Sequence, residues 1–293
     1  MIAHPSLSPR AFRIRLLVVV TLVWGAIAAA PFVPPFPQDV GYHNFADQRP
    51  FLSIPHALNV LSNLPFVFVG LWGLWFVGRA DRQIFAGRWE RLAFGLLFAF
   101  VALTGVGSSY YHWQPGNATL YWDRLPLTVV FMAFFAIILG ERIDGRVGAW
   151  LLGPLLAAGV ASVTWWHWTE MRNVGDVRWY FLVQFLPLAL IPLLLLLFPA
   201  RYNRTPDLLA VLGLYVLAKL LELLDANVFS AGRLVSGHTL KHLAAAFAVY
   251  WMLRMLAVRK LAPPHASVAA LGGFALAASR MGPHSFEHEP RTS

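Results

Sequence analysis

Apolar runs of about twenty residues recur along this chain, separated by short segments that hold most of its charged residues. A helix needs roughly 20 such residues to cross a hydrocarbon core about 30 Å thick. The runs are too long, and too free of apolar and polar alternation, to be barrel strands. Their breakers place eight helices, at about Leu16 to Pro34, Ala57 to Val77, Leu92 to Tyr111, Asp123 to Leu139, Val147 to Trp166, Trp179 to Phe198, Leu208 to Leu224 and Thr239 to Val258. The stretch Ser267 to Ser279 is too short for a ninth, and the C-terminal tail reads as disordered. The predicted fold is an all-α membrane protein: a seven-helix core over residues 37–260, an extra N-terminal transmembrane helix within residues 1–36, and a flexible tail over 261–293.

Arginine and lysine positions assign sides to these spans, because such residues accumulate in cytoplasmic loops. Arg10, Arg13 and Arg15 precede the first span, and Arg79, Arg82, Arg88 and Arg91 separate the second from the third. Arg142 and Arg146, Arg201 and Arg204, then Arg254, Arg259 and Lys260 continue the alternation. The intervening loops hold only Arg49, Arg172, Arg178 and Arg233. Both termini are therefore expected in the cytoplasm, with a bacterial inner membrane as the expected location. Trp165, Trp166, Trp168, Trp179 and Tyr180 flank one outer loop as an interfacial aromatic belt does. The basic start, apolar run and Ala28-Ala29-Ala30 also resemble a signal peptide, but the apolar run continues through Val33, which favours an uncleaved anchor.

Composition agrees: 58% of the residues are hydrophobic and 13% charged, with a mean hydropathy of +0.59. The net charge of +9 follows the loop arginines rather than a patch interleaved with aromatics, so no nucleic-acid partner is expected. The chain has no cysteine, so disulfides and thiolate ligands are excluded and any metal must rest on His, Asp or Glu.

Ionisable groups inside spans are expensive and mark function by default. Ser108 and His112 lie four apart at the outer end of the third helix, Asp123 opens the fourth, and His238 and His242 lie four apart at the start of the eighth. Loop alternation puts all five at one membrane level. Two His at i and i+4 with a third from a neighbouring helix are a zinc pattern that keeps a fourth position for water. Zinc so held lowers the pKa of that water to about 7 and polarises a carbonyl. Asp123 is then placed to accept the water proton and Ser108 to hydrogen-bond an oxyanion. The plainer alternatives are interfacial histidines satisfied by headgroups, and Ser108 as a packing residue beside Gly105 and Gly107. Lys219 and Glu222 read as an ion pair, and Asp225 as a carboxylate orienting a ligating imidazole. Glu141 and Arg142 read as a cytoplasmic turn. His4, His43, His56, His167, His265, His284 and His288 read as loop or tail residues.

Ser108-x-x-x-His112, Asp123 eleven residues later, His238-x-x-x-His242 and the segment Asn59-x-x-Ser62-Asn63 together resemble the alkaline ceramidase family. Its superfamily also includes progestin and adipoQ receptors and haemolysin III-like proteins. The likeness covers about Asn59 to Val258. It implies a seven-helix bundle with His112, His238 and His242 as zinc ligands, Asp123 as general base and Ser108 as oxyanion stabiliser. It also implies hydrolysis of a ceramide amide to a long-chain base and a fatty acid. Two positions depart from the family: Arg124 stands where an acidic residue follows the aspartate, and His56 stands where a calcium-binding glutamate falls. The expected function is a zinc-dependent hydrolase acting on a ceramide-like membrane lipid. A receptor-like protein with a structural zinc is the alternative, and a haem protein with paired histidine ligands is a third reading.

Overall fold

The computed structural model describes residues 7–262, so the tail expected over 261–293 lies outside the described residues except for Leu261, which pairs with Tyr202 in an isolated bridge, and Ala262. These residues form α1 (Pro9–Ala29), α2 (Ala57–Leu61), α3 (Leu64–Arg79), α4 (Arg88–Trp113) and α5 (Asn117–Arg142). They continue through α6 (Gly145–Glu170), α7 (Arg178–Leu197), α8 (Thr205–Leu223), α9 (Asp225–Gly232) and α10 (Gly237–Val258). Among the described residues there is no strand, only two isolated bridges. Local signals explain several boundaries. Ser8 caps α1 through the Ala11 N–H, with Pro9 at the first helical position. Asp144 caps α6 and Ser236 caps α10.

Seven helical segments are long and apolar enough to cross a membrane, of which one joins α2 to α3. The exception among the eight expected spans is α8. It has spanning length, at 19 residues, but carries Asp207, Lys219 and Glu222. The expected second span is a short helix, α2, that breaks at Ser62 and Asn63 before α3 begins with Pro65 in its first turn. The apolar pattern starts the fourth span at Asp123, whereas α5 starts at Asn117 and puts Asp123 nearly two turns inside. Likewise Glu141 and Arg142 are not a solvated turn but the buried last residues of α5, and His167 lies within α6 rather than in a loop.

α4 packs between α3 and α5, α5 packs against α4 and α6, and α10 lies against α8 and α3. Phe94, Leu97 and Phe98 of α4 meet Ile137 and Ile138 of α5 and Leu253 and Leu256 of α10 in one core cluster. α1 stands at the periphery, touching α7 along its side. At one end of the bundle Glu90 and Arg259 form a buried ion pair at 2.9 Å, with the guanidinium 4.0 Å from the Tyr202 ring centre. That pair joins the N-terminal end of α4 to the C-terminal end of α10. The opposite ends of the same two helices carry the histidines.

Candidate metal centre

His112 belongs to the last turn of α4, and His238 and His242 to the first two turns of α10. The three side chains are 1%, 3% and 5% exposed. Their ring centres are 4.8 to 4.9 Å apart. One ring nitrogen from each lies within 4.8 Å of the other two, so the set can hold a metal ion. The Nε2 atoms of His112 and His238 are 3.2 Å apart. Two nitrogens sharing a tetrahedral zinc at about 2.0–2.1 Å are separated by about 3.3–3.4 Å, so that edge already has the required length. The widest separation must close by about 1.5 Å, a displacement that rotation of one imidazole supplies.

Ser62, at the break between α2 and α3, fixes the third ring. Its Oγ lies 2.8 Å from His242 Nδ1 and 3.2 Å from the Asn59 carbonyl oxygen. A hydroxyl has one proton. With that proton given to Asn59, Ser62 accepts from His242 Nδ1–H, which leaves Nε2 with a bare lone pair facing the other two histidines. Thr239 Oγ1 donates to Asn59 Oδ1 at 2.9 Å, tying α2 to α10. His112 Nδ1 is buried without a protein partner.

Two glycines bring the helices close enough. A Cβ at Gly107 would overlap the Trp122 carbonyl oxygen. Pro126 four residues later has no N–H to offer that carbonyl, so α5 is open where α4 presses against it. This contact brings α5 against α4 beside Ser108, and Ser108 and Asp123 line the same cavity. A Cβ at Gly237 would overlap the Leu221 carbonyl and crowd Asp225. Asp225 Oδ1 accepts the His238 backbone N–H at 2.7 Å, and Oδ2 accepts from Ala46 N at 2.9 Å. Asp225 thus anchors the backbone at His238. Its hydrogen bonds among the described residues go to these main-chain donors and not to an imidazole ring.

The segment between α1 and α2 covers the centre. Phe45 is buried with its ring centre 4.6 Å from that of His112 and 4.4 Å from that of His238. His43 holds this cover down, with Nδ1 2.8 Å from Tyr111 Oη and Nε2 2.8 Å from Asn117 Oδ1. Asn117 in turn donates to Glu170 at 2.9 Å. Arg49 pairs with Asp47 at 2.8 Å and donates to the carbonyls of Arg233 and Leu234. This hydrogen bonding holds the Asp47 carboxyl below the usual carboxylate range.

Away from that cover, a cavity of about 250 Å³ runs from His242, Ser108 and Asp123 between α5, α7, α8 and α10. Its far walls are apolar and include Phe134, Ile191, Val211 and Met252. Ten residues of helix separate His242 from Met252, or about 15 Å at 1.5 Å per residue. That is the thickness of one leaflet's hydrocarbon, half of about 30 Å.

All five residues singled out from the sequence therefore lie at one end of the bundle, with the three histidines placed so that they could hold a metal ion and Ser108 and Asp123 at the adjoining cavity wall. Lys219 and Glu222 do pair, at 2.5 Å, but Lys241 shares the same carboxylate, also at 2.5 Å. Sequence reasoning gave no role to Ser62, Phe45 or His43. Only the i, i+4 pairing of histidines was visible locally, and the partners of Ser62 and Phe45 come from distant parts of the chain. No protein-family model matches the chain, and neither the curated proteins nor the solved structures contain a significant match.

Proposed function

We propose that this protein is a zinc-dependent membrane hydrolase that cleaves the amide of a ceramide-like lipid, with His112, His238 and His242 as metal ligands. The observation that carries the proposal is the convergence of three buried imidazoles from α4 and α10, of which His242 also lines the polar end of a largely apolar cavity about one leaflet deep. Three nitrogen donors suit zinc, and the His112 and His238 Nε2 atoms already stand at the spacing of a tetrahedral edge. Zinc held there would acidify a water and polarise the amide carbonyl.

The chain's own residues supply the rest. The cavity orients the acyl chain, so that the carbonyl arrives at the polar end. Asp123 takes a proton from the attacking water and returns it to the leaving nitrogen, and Ser108 donates to the carbonyl oxygen as charge grows there. Phe45 covers the outer side and keeps bulk water from the imidazoles. The likeness of Ser108, His112, Asp123, His238 and His242 to the ceramidase pattern supports the same assignment.

The test uses detergent-purified full-length protein. His238→Ala is expected to lose both bound zinc and lipid hydrolysis. Asp123→Asn is expected to keep zinc and lose at least a hundredfold in turnover. Full activity of Asp123→Asn refutes the base assignment. Zinc-loaded wild type that is inert toward lipid amides and esters favours a receptor-like protein with a structural zinc.

A further inference from the structure

The cavity wall next to the histidines carries an unbalanced charge. Arg124 is 5% exposed and has no carboxylate within ion-pair distance among the described residues. Its Nη2 donates to Gln38 at 2.6 Å, while Nη1 has no partner. The guanidinium lies 4.5 Å from the ring centres of both Trp166 and Tyr180. Ring faces offset part of the burial of a cation, but they do not neutralise it. On the facing side Lys219 and Lys241 share the single carboxylate of Glu222, which also accepts from Tyr42 Oη at 3.0 Å. The residues lining the cavity therefore include three cations, Arg124, Lys219 and Lys241, against two carboxylates, Asp123 and Glu222. A divalent ion on three neutral imidazoles adds further positive charge at the same end.

We propose that this cavity selects an amphiphile bearing a carboxylate within a few bonds of the scissile amide, in chemical class an N-acyl amino acid. The proposal rests on the hydrolase reading for the reaction, and on the cation excess for the anion. The place of the anion follows from the shared wall: Arg124 and Lys241 line the same cavity as Asp123 and His242, so the cations and the groups assigned to the chemistry face one bound molecule. A carboxylate on the carbon next to the amide nitrogen reaches them while the acyl chain fills the apolar part. This narrows the ceramide-like reading at the amine part alone: the acyl amide cleaved is the same, but a neutral sphingoid head leaves the excess uncompensated. In the reaction the C–N bond breaks, the water oxygen joins the acyl carbon, and its protons end on the amine and the new acid. The products are a fatty acid and an amino acid, with no redox change.

The test compares N-palmitoylglycine with N-palmitoylethanolamine, which has the same chain and amide but a hydroxyl in place of the carboxylate. With zinc-loaded wild-type protein in detergent, kcat/KM is expected to be at least tenfold higher for the glycine conjugate. Arg124→Gln should bring the ratio toward one, and Arg124→Lys should retain most of it. Equilibrium binding of both lipids to the non-hydrolysing His238→Ala protein is measured in parallel and should show the same preference. If neither lipid is hydrolysed yet the glycine conjugate binds at least tenfold tighter, the hydrolase reading fails and the anion site stands. Equal kcat/KM and equal binding overturn the anion site. So does tight, Arg124-dependent binding of palmitate without preference between the amides, because the cations would then hold a product.

Discussion

Removing the Ser62 hydroxyl should weaken zinc binding although Ser62 never touches the metal. Among the described residues its Oγ is the only partner of His242 Nδ1, at 2.8 Å, and it holds that ring with Nε2 facing His112 and His238. In Ser62→Ala the buried Nδ1–H has no acceptor, which costs about 1–3 kcal/mol, and the ring escapes this by moving the proton to Nε2 or by turning away. Loss of such an outer partner typically weakens a metal site about 10–100-fold. That range converts to about 1.4–2.8 kcal/mol, so the two scales agree. The assay is zinc competition between the purified protein and a chelator of known affinity, at fixed pH. Ser62→Thr keeps a hydroxyl at the same place and should stay within about threefold of wild type. Wild-type zinc affinity in Ser62→Ala would refute the tautomer assignment and, with it, the idea that the α2 to α3 break serves the metal centre.

Other outcomes follow from the same contacts. Gly107→Ala forces a methyl against the Trp122 carbonyl, so α4 and α5 must part. It should cost about 1–3 kcal/mol in a detergent unfolding assay and reduce turnover more than zinc affinity, since it displaces Asp123 and not the histidines. The Asp47 carboxyl, lowered by Arg49, contributes stability that is complete above its ordinary pKa of about 4 and is lost as pH falls through the lower folded value. The thermal midpoint of wild type should therefore fall more steeply below about pH 4 than that of Asp47→Asn, in which this contribution is absent.

How much of this was legible in the chain depends on the range of each interaction. Apolar run length gives the spans, and arginine alternation put His112, Asp123, His238 and His242 at one end without reference to the histidines themselves. Helix periodicity also gave the shared face of His238 and His242. The break at Ser62 and Asn63 was hidden because Ala57 to Val77 is apolar enough to read as one helix. The extra turns at the start of α5 were hidden by Gly116 and Asn117, which look like loop residues until they begin a helix. Ser62 and His242 are 180 positions apart, and nothing local marks either as the other's partner. Phe45 is similarly unmarked: a single aromatic in a polar stretch acquires a role only when the segment folds back over two imidazoles. The charges of α8 were visible, but their sharing with Lys241 depends on α8 and α10 packing side by side.

Zinc-edge X-ray absorption on the purified protein, together with its metal content, addresses the centre most directly. One zinc per chain with a four-coordinate nitrogen and oxygen shell at about 2.0–2.1 Å, and outer-shell ring scattering that counts three imidazoles, is the expected spectrum. Protein equilibrated with zinc that retains none, or that binds it through fewer than three imidazoles, contradicts a centre built by His112, His238 and His242.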